Sequence, residues 1–218
     1  MIWVNFKTYQ EGTGQKALEL AKICQEAEKE SGVTIIPVVQ ATDIFRLAQA
    51  GFKVWAQHLD DIEYGANTGQ ILPEAVLAAG AQGTLLNHSE NKLPVEIIGE
   101  TLKRGRDLGL KFLVCAESVE EGKEIVRLRP DFLAYEPPEL IGGNVSVSLA
   151  KPEIVRDFVL AVGQIPVLIG AGIHKQTDII KGRKLGAKGF LISSGVVLAK
   201  NPGEKLKELA SGFTNETI

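Results

Sequence analysis

The sequence predicts an α/β protein folded as one closed (β/α)8 barrel that occupies residues 1–218 as a single domain. Three observations carry that expectation. Short β-branched runs alternate with longer amphipathic segments from one end to the other, the rhythm of parallel strands joined by crossover helices. Eight such units fit into 218 residues, whereas a doubly wound open sheet usually stops at about five or six strands. No linker or shift in composition divides the chain.

The first strand is expected at Ile2 to Asn5, an apolar run that meets a polar residue at once, and the first helix follows over Gly14 to Ser31. Strand two, Thr34 to Val39, leads to a helix over Ala41 to Ala50, and strand three, Val54 to Gln57, to one over Pro73 to Ala79. Strands four and five, Gly83 to Asn87 and Phe112 to Cys115, precede helices over Leu93 to Leu108 and Ser118 to Leu128. Strand six is Phe132 to Tyr135 with a helix over Lys151 to Val162. Strand seven is Pro166 to Ile169 with Thr177 to Leu185, and strand eight is Gly189 to Ile192 with Gly203 to Ser211. Most strands are nearly continuous hydrophobics, as strands covered on both faces should be. Gly109-Leu110-Lys111-Phe112 and Gly186-Ala187-Lys188-Gly189 each end a helix at a glycine able to take the left-handed cap and begin a strand at once.

Composition narrows the function. The chain is 44% hydrophobic and 23% charged with net charge −3, a balance that argues against disorder and against a general nucleic-acid surface. An anionic ligand would then need local positive potential from one or two cations and backbone amides. Cys24 and Cys115 lie in apolar stretches, so neither a disulfide scaffold nor a metal cluster is expected, and a reducing cytoplasm fits best. The first residues lack a basic region and cleavage site, and no apolar run reaches membrane-spanning length.

In such a barrel the chemistry sits at the carboxyl ends of the strands. Reading those ends alone gives Asn5 and Lys7 after strand one, His88-Ser89-Glu90 after strand four and Glu136 after strand six. Gly170-Ala171-Gly172 and Ser193-Ser194-Gly195 follow strands seven and eight, where barrels commonly bind phosphate with backbone amides. Tight turns alone would also use glycines there.

The segments Asn5-Phe6-Lys7, Asn87-His88-Ser89-Glu90, Tyr135 to Gly142 and Gly170-Ala171-Gly172 resemble the signature segments of triosephosphate isomerases, in the family's order and on the expected strands. The resemblance covers nearly the whole chain, including Gly65 to Gln70, and the Phe after Asn5 with the overall brevity points to the short archaeal type. It implies a TIM barrel that interconverts dihydroxyacetone phosphate and glyceraldehyde 3-phosphate, in glycolysis and gluconeogenesis, with no cofactor and no metal.

This family is itself the standard illustration of tuned acid and base groups. By resemblance Glu136 is the base that removes a proton beside a carbonyl. His88 is the donor that polarises the carbonyl, kept neutral by a helix start at Ser89-Glu90. Lys7 is the cation that holds the anionic substrate and stabilises the enediolate. Asn5, Phe6, Lys7, Ile141, Gly172, Ser193 and Ser194 are expected to bind substrate, and Glu90 to support the lysine, although an acidic residue in a first helical turn also has an ordinary dipole role. Pro137 to Val145 would be a lid, in which Gly143-Asn144 stands where the family usually has Thr-Gly.

The loop Tyr64 to Ile71 suits a free surface loop or a contact; the resemblance implies a subunit contact and a homotetramer. His58 is expected to be a hydrogen-bonded structural histidine, His174 a surface one, and Cys115 a small buried hydrophobe. Two other readings compete. A phosphosugar aldolase, or an isomerase of amino-acid biosynthesis, would need a different acid–base set. A catalytically silent phosphate-binding barrel would keep the glycine loops while losing Glu136, His88 or Lys7.

Overall fold

In a computed structural model that describes residues 1–137 and 152–214, eight strands close a parallel barrel in chain order, with β1 paired to β8. They are β1 (Ile2–Asn5), β2 (Ile35–Val39), β3 (Trp55–Ala56), β4 (Gly83–Leu86), β5 (Lys111–Ala116), β6 (Phe132–Tyr135), β7 (Val167–Ile169) and β8 (Gly189–Ile192). Strand β3 is shorter than expected. Gln57 leaves the ladder, and its side-chain amide donates instead to the Lys7 carbonyl at 2.9 Å.

Strand side chains alternate between two separate cores, because successive Cβ atoms point to opposite faces. Trp3, Val38, Trp55, Leu85, Leu113, Cys115, Ala134, Leu168 and Leu191 fill the barrel interior. Their neighbours Ile2, Val4, Leu86, Val114, Leu133, Ile169 and Phe190 face outward and pack under the helices. Three aromatic rings plug the interior, with Trp3 5.7 Å from Trp55 and 4.9 Å from Phe132 between centroids.

The helices cover that outer layer. Helix α1 (Gln15–Ser31) buries Ala17, Leu20, Ala21, Cys24 and Ala27, one stripe at helical spacing, and stops at Gly32, whose φ of 69° lets its N–H reach the Glu28 carbonyl. After it come α2 (Ala41–Gln49) and α3 (Pro73–Ala78), then α4 (Val95–Asp107), which starts two residues later than the periodicity suggests. Pro94 caps α4, and a proline biases the preceding Leu93 away from helical geometry. Helix α5 (Val119–Val126) is capped by the Ser118 hydroxyl, which accepts from the Glu121 N–H. Four more follow: α6 (Pro152–Val162), α7 (Gln176–Lys184), the one-turn α8 (Ser194–Val197) and α9 (Pro202–Thr214), which packs against α1 and α7. No helix among the described residues is long and apolar enough to cross a membrane.

Candidate active site

The inward positions one step above the hydrophobic plug carry the polar groups. Counting by two along β1 gives Trp3 inside, then Asn5, then Lys7; along β6 it gives Ala134, then Glu136; along β7 and β8, Leu168 then Gly170, and Leu191 then Ser193. The dry interior ends where these residues begin. They open onto a cavity of about 210 Å³ at the carboxyl ends of the strands, smaller than the ~300–1,000 Å³ of drug-sized sites and suited to a small metabolite.

Glu136 reaches that cavity from the end of β6 with only 3% of its surface exposed. Burial raises its carboxyl above the ordinary range; the His88 imidazole, the Cys115 thiol and Lys7 oppose this, and Glu90 adds to it. One carboxylate oxygen, Oε1, lies 3.6 Å from His88 Nε2, while Oε2 has no hydrogen-bond partner among the described residues. Gly170 makes room for it. A Cβ at that glycine would stand 2.5 Å from Glu136 Cγ and 2.7 Å from Oε1.

His88 is buried, and its Nδ1 accepts the backbone N–H of Glu90 at 3.2 Å. The accepting nitrogen carries no proton, so the hydrogen-bond pattern assigns the proton of the neutral ring to Nε2, which faces Glu136. The expected helix start at Ser89-Glu90 is absent. These residues form a turn closed by Asn91 N–H to the His88 carbonyl at 2.7 Å, and α4 begins only at Val95, because Pro94 sets its start. An individual amide, rather than a helix terminus, therefore holds the imidazole. The dipole role for Glu90 falls with that helix. Its carboxylate instead pairs with Lys7 Nζ at 2.7 Å.

Lys7 takes a left-handed backbone conformation with φ 46°, which is costly for a residue with a Cβ. The local hydrogen bonds that stabilise it are visible: the Asn5 side-chain oxygen accepts the Lys7 N–H at 3.0 Å, and Gln57 holds the Lys7 carbonyl. Asn5 itself is buried and lines the cavity.

Phe6 needs correction. It was expected to bind substrate, but it sits between two inward residues, so the pleat turns its ring outward into the helix-covered layer, fully buried and away from the cavity. Gly172, Ser193 and Ser194 do line the cavity, on the side opposite the β4 turn. Gly172 adopts φ 66°, and the buried Ser193 hydroxyl lacks a hydrogen-bond partner among the described residues. Ile141, the altered Gly143-Asn144 pair and, beyond Pro137, the expected lid lie outside the described residues.

His174 and Tyr9 escape sequence reading, whereas Cys115 lies buried as expected. His174, expected at the surface, lines the cavity, and its N–H donates to Asp178 at 2.9 Å. Cys115 is part of the barrel interior beneath Glu136; burial, together with the Glu136 charge, raises its thiol well above the ordinary value, so it stays protonated. Tyr9 lines the cavity as well. Cys115 was traceable by the two-residue period alone, since it shares the inward face with Leu113. His58 hydrogen-bonds Asp60 at 3.1 Å, and Asp60 pins Ile71 at the far end of the loop by accepting its N–H at 2.5 Å. Among the described residues no cluster of three or more His, Cys, Asp or Glu side chains could hold a metal ion.

A closed barrel with a buried carboxylate, a neutral imidazole and an ammonium group around one small cavity at its carboxyl rim has the layout of a barrel enzyme of the acid–base class. Comparison with known proteins narrows the class. The triosephosphate isomerase family model matches residues 1–211. The triosephosphate isomerase of Methanocaldococcus jannaschii is 42% identical over 214 residues, covering 96% of this chain and 98% of that one. The enzyme of the same name from Methanobacterium bryantii is 43% identical over 216 residues, covering 97% and 96%. The crystal structure of triosephosphate isomerase from Bartonella henselae superposes with a TM-score of 0.74 over 98% of both chains at 19% identity, a likeness of fold. The chain belongs to the triosephosphate isomerase family, a family of isomerases.

Proposed function

We propose that this protein interconverts dihydroxyacetone phosphate and glyceraldehyde 3-phosphate through an enediolate, with Glu136 as base, His88 as electrophile and Lys7 as electrostatic stabiliser. The facing pair carries the reading: a buried carboxylate of raised pKa 3.6 Å from the protonated nitrogen of a neutral imidazole. Glu136 takes a proton from the carbon beside the carbonyl, and the electron pair moves to the carbonyl oxygen. His88 Nε2–H donates a hydrogen bond to that oxygen as its negative charge grows. His88 Nε2 then gives its proton to that oxygen and takes the hydroxyl proton of the neighbouring one, and Glu136 returns its proton to the carbon that bore the carbonyl, so the carbonyl has moved by one position with no net change in atoms or electrons.

The phosphate belongs near Gly172, Ser193 and Ser194. The Ser193 hydroxyl, which has no hydrogen-bond partner among the described residues, supports this, because a buried polar group left unpaired costs about 1–3 kcal/mol and a phosphate oxygen would accept its hydrogen bond. Lys7 supplies the fixed positive charge, and Asn5 holds Lys7 in its left-handed turn. By the family resemblance Ile141, which lies outside the described residues, would add a contact to the phosphate.

Residues 1–218 form one domain in this reading, working in the cytoplasm in glycolysis and gluconeogenesis. The chains associate as a homotetramer. The exposed Tyr64 ring, with 76% of its surface free on the loop expected to make the contact, supports association. Purified protein should convert glyceraldehyde 3-phosphate to dihydroxyacetone phosphate without added metal. Glu136→Gln should fold and lose most of that rate; full activity in that variant would remove the base assignment.

A further inference from the structure

The turn that carries His88 and Glu90 is closed at its base by one side chain. Asn87 is buried and holds φ 56°, a left-handed conformation that Asn tolerates better than most residues other than Gly. Its side-chain oxygen accepts the Leu93 N–H at 2.9 Å, so the residue before the turn grips the residue after it. Its amide nitrogen donates in two directions, to the Cys115 carbonyl on β5 at 2.9 Å and to Glu121 Oε1 on α5 at 2.8 Å.

Glu121 is in turn held firmly. Lys92 donates to Oε1 at 2.5 Å, and the Glu117 N–H donates to Oε2 at 2.7 Å. Burial alone would raise this carboxyl, but the Lys92, Glu117 and Asn87 hydrogen bonds outweigh it and hold the group below the usual range. Lys92 also pairs with Glu117 at 3.3 Å. The five-residue turn is thus tied to its own far end, to the next strand and to the next helix.

We propose that Asn87, braced by Glu121 and Lys92, is the positioning residue that keeps His88 in a single tautomer aimed at Glu136. The inference deepens the isomerase reading and rests on it. The mechanism is geometric. Glu90 N–H can hold His88 Nδ1 only while the turn keeps its shape, and without Asn87 the segment loses the tie from residue 87 to Leu93 and keeps only the Asn91 N–H to His88 carbonyl bond inside the turn. An imidazole released from that amide can exchange protons between its two nitrogens, and the form bearing its proton on Nδ1 offers nothing to the substrate oxygen.

The test uses Asn87→Gly, which keeps the left-handed backbone and removes all three side-chain bonds, and Glu121→Ala, which leaves residue 87 untouched. Asn87→Gly should lower kcat on the order of 10–100-fold, the loss expected from a misplacement of about 1 Å, with KM within about twofold because the phosphate contacts lie across the cavity. Nitrogen-15 NMR of the His88 ring should change from one neutral tautomer to a mixture. In a His88→Gln background the same Asn87→Gly change should cost less than about twofold, since the group it positions is gone. Glu121→Ala should move kcat and the tautomer ratio in the same direction by less, and it decides the matter if Asn87→Gly does not fold. Wild-type kcat with an unchanged tautomer, or an undiminished loss in the His88→Gln background, would overturn the proposal. Full activity in Glu136→Gln would instead remove the acid–base reading, and the NMR measurement would still judge the clamp.

Discussion

Replacing Gly170 by alanine tests whether the space beside the Glu136 carboxylate sets its position. The glycine's φ is not in the left-handed region, so alanine adds no backbone strain there. The added Cβ would lie 2.5 Å from Glu136 Cγ, and ordinary contact begins near 3.4 Å, so the side chain must retreat by 3.4 − 2.5 = 0.9 Å. A displacement of about 1 Å at a reacting group costs roughly 100-fold in rate, and overpacking a dense interior costs about 1–3 kcal/mol of stability. Steady-state kinetics from glyceraldehyde 3-phosphate, read together with a thermal melt, should therefore show kcat down about two orders of magnitude in a folded protein. A folded Gly170→Ala protein with wild-type kcat would refute the claim that this glycine makes room for the base.

Three further outcomes follow from other features. Because the Glu136 carboxyl is raised in the folded state, its contribution is favourable below the unfolded value and is lost as pH rises through the folded one. Glu136→Gln should then be more stable than the parent at pH 8, with the gap closing toward pH 4.5; denaturant melts at both ends of that window check the sign. Leu168→Ala empties a fully buried position inside the barrel and should cost about 2–5 kcal/mol in the same melts. Lys7→Met should raise KM and lower kcat together without unfolding the chain, and an unchanged kcat/KM would show that the ammonium group does not act on the substrate.

The barrel was legible because its strands are short apolar runs set apart by helical periods, and the rim residues followed from the rule that chemistry sits at strand ends. Phe6 enters through the family resemblance and not through that rule, and the pleat corrects it: a residue between two inward-facing neighbours must face outward. The helix at Ser89-Glu90 failed differently. Acidic and hydroxyl residues favour a helical first turn, yet Pro94 lies too near for the helix to begin before Val95. Asn87 stands in a signature segment, but its bonds, like those of Gln57 and Glu121, could not be read from the sequence, since they reach partners 28 to 50 residues away that only the closed barrel brings close. His174 gave no signal either, because a histidine after a glycine turn points inward or outward according to the backbone of that turn.

The two-layer packing has a consequence for the fate of the transferred hydrogen. Beneath Glu136 the barrel is stoppered by Cys115, Ala134, Leu168 and the tryptophan pair, a column that is apolar apart from one un-ionised thiol and the buried Trp3 indole N–H, which has no hydrogen-bond partner among the described residues. A hydrogen lifted from carbon finds no relay among these side chains. Isotope washed in from heavy water during turnover must arrive from the mouth, so the share of label retained in the product gauges how wet that one entrance is while the intermediate lives.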